Sequence, residues 1–147
     1  MEKLNFSISI NAPKEKVWKT LWGISTYRKW TAAFAEGSDA VTDNWKEGSK
    51  VLFVDGKGSG MVSTVAVNKP NEYMSFQHLG EVTDGVEDTS SEKVKGWSGA
   101  RENYTLKDTG GKTELIVDMD STDDFKDYFS KTWPLALEQV KRLSENN

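Results

Sequence analysis

His78, the only histidine of the chain, and the carboxylate of Glu102 are the pair of side chains best suited to chemistry. Alternation along a strand places His78 on one face with Met74 and Phe76, and it places Glu102 on one face with Tyr104. If the two strands pair antiparallel with Phe76 opposite Tyr104, His78 lies opposite Glu102. We predict that the two hydrogen-bond inside an apolar cavity, where the carboxylate would favour a charged imidazole. Such a pair would anchor a ligand or act as an acid and base. The alternative is that His78 lies partly hydrated at the sheet edge with no role.

Other kinds of chemistry have little support in the sequence. Cysteine is absent, and a single histidine leaves a metal ion mainly carboxylates, whose spacing does not match a calcium loop. The glycine-rich segment 56–60 lacks the pattern of a phosphate-binding loop and the helix that must follow one. A serine triad would have only His78 as its base, and no G-x-S-x-G elbow is present. We therefore predict no metal site, no cofactor and no catalytic residue.

The composition is that of a globular chain of 147 residues with a formal net charge of -4. Acidic and basic residues are interspersed, and the lack of a basic stripe argues against nucleic acid as a partner. No apolar run approaches the ~18 residues that would span a bilayer. We predict one domain over residues 1–147, monomeric and cytoplasmic, with no membrane insertion.

The hydrophobic pattern predicts strands over 4–10, 50–53, 61–67, 73–79, 97–106 and 113–120. Two short helices follow the first strand, one beginning at Pro13 and ended by Gly23, the other capped by Ser25. Residues 36–48 have an irregular pattern, and the polar, acidic segment 80–96 is predicted to be a long mobile loop. The order is therefore β-α-α-β-β-β-β-β-α, which is an α+β fold.

The last quarter of the chain, from Ser121 to Asn147, is predicted to form one long helix. Residues 121–124 resemble a capping box, and Pro134 should bend the helix. Large apolar residues recur every three or four positions and form one face: Phe125, Phe129, Trp133, Leu137 and Val140. A single helix cannot cover a large curved sheet, so we expect a pocket between the two.

This order of elements, with particular motifs, resembles the SRPBCC superfamily of START-like and birch-pollen-allergen-like helix-grip proteins. Within it the chain is similar to the Aha-type homologues of the activator of a heat-shock chaperone's ATPase. The motifs span nearly the whole chain: residues 12–18, 60–65, 70–76, 104–106 and 110–115, with Trp133 and Leu137. The resemblance implies a curved antiparallel sheet wrapped around the long C-terminal helix, with an apolar cavity between them. His78, Glu102 and Pro134 depart from the family's usual residues.

The cavity predicted in this way has a defined set of candidate lining residues. They are the polar pair His78 and Glu102 together with Trp30, Phe34, Phe53, Phe76, Trp97, Tyr104, Val117, Met119, Phe129 and Trp133. The alternative is that the apolar members of this set fill the core and leave no space. A ligand would enter near Trp30, Phe34 and the segment 80–96.

The function predicted from this fold is the binding of a small apolar or amphipathic molecule between the last helix and the sheet. Two alternatives follow from the same resemblance, because a fold does not determine a function. One is a protein-interaction role with a chaperone as the partner. The other is a small-molecule cyclase or hydrolase that would use His78 with Glu102 or Tyr104.

Overall fold

A computed structural model describes residues 1–146 as a sheet of eight strands with four helices. The strands are β1 (Glu2–Ile10), β2 (Asp39–Thr42), β3 (Lys50–Val54), β4 (Ser59–Lys69), β5 (Tyr73–Thr83), β6 (Val86–Asp88), β7 (Arg101–Asp108) and β8 (Thr113–Ser121). The helices are α1 (Lys14–Trp22), α2 (Ile24–Thr31), α3 (Glu92–Lys95) and α4 (Asp123–Glu145). Asn147, at the end of the predicted last helix, lies outside the described residues.

The sheet is antiparallel throughout, and its order is β1-β8-β7-β5-β4-β3-β2, with the short β6 paired to β5. Irregularities in the register of β4 against β5 occur at Val62/Ser63 and at Val65/Val67, where bulges bend a sheet. The long helix α4 packs against β1, α1 and α2. The predicted α+β helix-grip fold is confirmed. None of the helices within residues 1–146 has the length and apolar character needed to cross a bilayer.

The segment 80–96 is not the long loop that its composition predicted. Strand β5 continues to Thr83 and turns into β6, and α3 follows, capped by the Ser91 side chain, which accepts from the Val94 amide. Gly80 misled the prediction because it sits inside the strand rather than at its end. A Cβ atom there would lie 2.1 Å from the carbonyl oxygen of Asp88, so only glycine permits this close approach.

Three further details differ from the prediction. The stretch that seemed irregular contains β2, a four-residue strand that is too short to show a period. Trp97 precedes β7 instead of opening it, because residues 96–99 form turns and the strand starts at Arg101. At the second helix, the N-cap residue is Gly23 rather than Ser25.

The long helix α4 agrees with its prediction except at its start. Thr122 is the N-cap residue, but its side chain makes no capping hydrogen bond, so the predicted capping box is wrong. Asp123 and Asp124 occupy the first turn, where negative charge interacts favourably with the helix dipole. The helix is continuous through Pro134 to Glu145, and the expected bend at Pro134 stays a prediction.

Part of the space enclosed by the sheet is filled by three aromatic rings, which we call the packed cluster: Trp22, Trp45 and Phe76. Their centroids lie 5.0 to 5.8 Å apart, and each residue is buried. Trp45 comes from the loop between β2 and β3, where its φ of 58° is rare for a bulky residue. Its indole Nε1 donates to the carbonyl of Trp22 at 2.8 Å, which fixes the ring in place.

Candidate functional site

The rest of the space between the sheet, α2 and α4 is open and forms a cavity of about 670 Å³. Its wall is mainly aromatic and aliphatic, and its volume is within the range of small-molecule sites. Most of the residues predicted from the sequence line it: Trp30, Phe34, Phe53, His78, Trp97, Glu102, Tyr104, Met119, Phe129 and Trp133. Phe34, Phe53, Trp97 and Phe129 are partly exposed beside this space, whereas Trp30, Tyr104 and Trp133 are at most 2% exposed and are largely covered by their neighbours. Their contact with a ligand stays a prediction.

Two of the predicted lining residues, Phe76 and Val117, do not reach the cavity. Phe76 is fully buried in the packed cluster, where it meets Trp22 and Trp45. Val117 is fully buried on β8, where its strand partners are Phe6 on one side and Tyr104 on the other. The alternation of apolar and polar residues gave the correct face of both strands. It could not show which residues on that face are covered by other side chains.

Some lining residues were not predicted, although two helices carry the signal that would reveal them. Tyr27, Trp30, Thr31 and Phe34 follow the spacing of one helix face from α2 into the turn after it, and all four line the cavity. On α4, Phe125, Tyr128 and Phe129 share this spacing and also line it. The Tyr128 hydroxyl donates to the carbonyl of Phe34 at 2.5 Å, which ties α4 to the chain after α2.

The polar wall of the cavity is the pair His78 and Glu102, as predicted, but the register that brings them together is different. Phe76 is opposite Glu102, and Met74 is opposite Tyr104. His78 is therefore a diagonal neighbour of Glu102 on the same face, which is still within reach of long side chains. Their Nε2 and Oε1 atoms lie 3.0 Å apart. His78 is only 5% exposed, so the alternative of a hydrated edge residue is wrong.

The hydrogen bonds around His78 continue on both sides of the pair. Ser63 Oγ lies 2.6 Å from His78 Nδ1, and the Tyr104 hydroxyl donates to the second oxygen of Glu102. Every group has a partner if Ser63 donates to Nδ1 and Nε2–H donates to Glu102. The positive charge that the sequence predicts for this imidazole stays a prediction.

The two tyrosines at this wall are held in their neutral form. Burial, and then the negative charge of Glu102, raise the pKa values of Tyr27 and Tyr104 well above the ordinary value. Tyr104 donates its proton to Glu102, whereas the Tyr27 hydroxyl has no hydrogen-bond partner among residues 1–146. Tyr27 thus offers a free donor and acceptor to the cavity.

A hydrolase triad could be composed of the same residue types as Ser63, His78 and Glu102. In this protein, however, the serine is not accessible to a substrate in the cavity. Ser63 is fully buried behind His78, and it is not part of the cavity wall. A substrate in the cavity could not reach its oxygen, so Ser63 positions the imidazole instead of acting as a nucleophile. Within residues 1–146, no cluster of three or more potential metal ligands occurs.

Comparison with proteins of known structure shows the same fold over almost the whole chain. The solution structure of the Aha1 dimer from Colwellia psychrerythraea matches with a TM-score of 0.73 and 21% identity, over 99% of this chain and 97% of that one. Protein MLL2253 from Mesorhizobium loti matches with a TM-score of 0.75 and 15% identity, over 97% and 96%. Protein ChR145 from Cytophaga hutchinsonii matches with a TM-score of 0.71 and 21% identity, over 99% and 95%.

Sequence comparison assigns the family. A search among curated proteins finds no significant match to this chain. The family model described as activator of Hsp90 ATPase homolog 1-like protein, in contrast, matches residues 11–145. This span includes all four helices, and every strand but the first lies wholly within it. The chain therefore belongs to the family of activator of Hsp90 ATPase homolog 1-like proteins.

Proposed function

We propose that this protein binds one small amphipathic molecule in the cavity between α4 and the sheet. The observation that carries the proposal is an open space of about 670 Å³ with a mostly apolar wall and one polar cluster. The apolar body of the ligand would lie against the rings of Phe34, Phe53 and Phe129, which line the cavity and are partly exposed. Its polar end would meet Glu102 and the Tyr27 hydroxyl. No reaction is assigned to the site.

The energetics of the wall support this proposal. Apolar surface left uncovered by the chain costs stability in proportion to its area, roughly 25 cal/mol per Å². A ligand that covers this surface recovers that free energy, so it should bind and stabilise the folded chain together. The polar cluster fixes the ligand's orientation, which is the usual division of roles in small-molecule sites.

The test is to fill the cavity and compare the effect with a matched change outside it. Ala35 lines the cavity, whereas Ala32, three residues earlier, is exposed and lies outside the wall. The neutral probe N-phenyl-1-naphthylamine, followed by fluorescence, should bind the natural chain. Ala35→Trp should weaken binding about tenfold or more, which corresponds to about 1.4 kcal/mol. Ala32→Trp should leave it unchanged, and equal binding by both variants would contradict the proposal.

A second candidate function is interaction with a chaperone, which family membership favours. It would use an exposed surface and would not require the cavity. If it holds, the chain should bind the Hsp90 of its own host and raise its ATPase rate, and Ala35→Trp should leave this effect intact. An unchanged ATPase rate at saturating concentrations of the chain would argue against it.

A third candidate, a cyclase or hydrolase, has one specific observation in its favour. His78 and Glu102 hydrogen-bond at the cavity wall, where they could exchange a proton with a bound molecule. His78→Ala should then abolish turnover while ligand affinity is kept. The absence of turnover for any screened substrate would count against this candidate.

A further inference from the structure

The charged side chains of the cavity wall share one sign. Four carboxylates line it, from Asp55, Glu81, Glu102 and Asp120, and no lysine or arginine does so within residues 1–146. Met1, an exposed residue, also lines the cavity. A wall of this kind attracts positive charge and repels negative charge, more strongly than in water because its apolar surroundings screen poorly.

The other three carboxylates of the wall, Asp55, Glu81 and Asp120, also have partners. Asp55 accepts from the amides of Lys57 and Ser59, and Asp120 accepts from the amide of Arg101. Glu81 pairs with Lys93 at 3.4 Å.

Glu102 has no lysine or arginine partner, in contrast to Glu81, and its side chain is also less exposed, at 17% against 32%. Its partners are His78 and Tyr104, and burial holds Tyr104 in its neutral form. A carboxylate accepts about four hydrogen bonds and here accepts two from the chain, so acceptor sites remain.

The Tyr27 hydroxyl is a second, independent indication of a ligand at this place. Tyr27 is 6% exposed, lines the cavity and leaves its hydroxyl without a partner among residues 1–146. Aromatic faces lie close by, since the Phe53 ring is 5.9 Å from the His78 ring and the Trp30 ring is 6.4 Å from the Tyr104 ring. A carboxylate, a free hydroxyl and aromatic faces together form the surroundings that bind organic cations.

We infer that the polar end of the ligand is an ammonium group, and that the molecule is an organic amine with an apolar body. The ammonium would donate to Glu102 and to the Tyr27 hydroxyl, while the body lies against the rings of α2 and α4. This inference rests on the proposed function, because it names the ligand class of the same cavity.

Three probes with one body and different charges test the inference: 4-phenylbutylamine, 4-phenyl-1-butanol and 4-phenylbutyrate. Calorimetric titration at pH 7 should give the amine an affinity about tenfold or more above that of the carboxylate, as expected for a charge-assisted hydrogen bond. Glu102→Gln should reduce the amine's affinity by a similar factor and leave the alcohol's nearly unchanged. Glu87→Gln removes the same charge from a carboxylate that pairs with Lys50 outside the cavity, and it should change none of the three.

The outcomes separate this inference from the function on which it rests. Equal or tighter binding of 4-phenylbutyrate to the natural chain would overturn the ammonium inference and leave cavity binding intact. If none of the three probes and no N-phenyl-1-naphthylamine binds, both are overturned. The comparison among probes on the natural chain remains decisive even if Glu102→Gln does not fold.

Discussion

The packed cluster and the open cavity are built from the same kinds of side chain. The rings of the packed cluster lie in contact, whereas the wall of the cavity encloses a space of about 670 Å³. In the packed cluster, Trp45 enters from the loop between β2 and β3 and closes the space between Trp22 and Phe76. Trp30 and Trp133 also pack on each other, at 6.2 Å, but partly exposed rings such as Phe53 and Phe129 border the open cavity. In the packed cluster one ring comes from a loop, so the placement of aromatic residues, and not only their number, determines where the core is filled.

Truncation of Trp45 in the packed cluster should have the largest effect on the free energy of unfolding. Trp45→Ala should lower the free energy of unfolding by about 3–5 kcal/mol, because it removes a buried ring and leaves a void. Phe34→Ala, at the half-buried wall of the open cavity, should cost about half as much, since its ring is already uncovered on one side. Urea unfolding measures both values. Equal losses would contradict the distinction between packed and open regions.

The polar wall of the cavity should be the next most sensitive feature. Ser63→Ala leaves His78 Nδ1 buried without its partner, at a cost of about 1–3 kcal/mol. Ser7→Ala removes an exposed serine from β1 and should stay within about 0.5 kcal/mol of the natural chain. A loss for Ser63→Ala no greater than that for Ser7→Ala would show that the hydrogen-bonded chain does not stabilise this wall.

The two buried tyrosines should make the protein sensitive to high pH. An unfolded tyrosine ionises near pH 10, whereas burial and Glu102 raise the pKa values of Tyr27 and Tyr104. Their stabilisation is therefore complete below about pH 10 and falls at higher pH, by up to ~1.4 kcal/mol per pH unit for each tyrosine. Tyr27→Phe should reduce this slope in unfolding experiments from pH 7 to pH 11.

The same substitution also distinguishes the two tyrosines at neutral pH. Tyr104→Phe should cost about 1–3 kcal/mol because it removes the donor to Glu102, whereas Tyr27→Phe should be nearly neutral because its hydroxyl has no partner among residues 1–146. Equal costs at pH 7, or an alkaline slope that neither variant changes, would contradict the assignment of the two hydroxyls.

The sequence was sufficient to predict the long periodic elements and the faces of their side chains. The alternation in β8 and the helical spacing in α4 gave both elements, and they placed Met119, Phe129 and Trp133 at the cavity wall. The contact between His78 and Glu102 was predicted through a wrong register. The predicted contact is nevertheless present, because residues two positions apart on a strand share a face and long side chains reach diagonal neighbours.

The missing parts depend on contacts between distant segments. Strands β2 and β6 are four and three residues long, so they carry no period and exist through pairing with their neighbours. Gly80 was read as the end of a strand, although it permits the close approach of Asp88. The position of Trp45 depends on a left-handed turn in a loop, which no hydrophobic pattern signals.

Methyl resonances of the methionines test the central claim most directly, because they report on both regions in one experiment. Met61 and Met119 line the open cavity, whereas Met74 is fully buried on β5 away from its wall. Titration of methyl-labelled protein with N-phenyl-1-naphthylamine should shift the Met61 and Met119 signals saturably with one common affinity and leave Met74 unchanged. Shifts of Met74 as large as those of Met119, or no saturable shift at either lining residue, would contradict an open ligand site in this cavity.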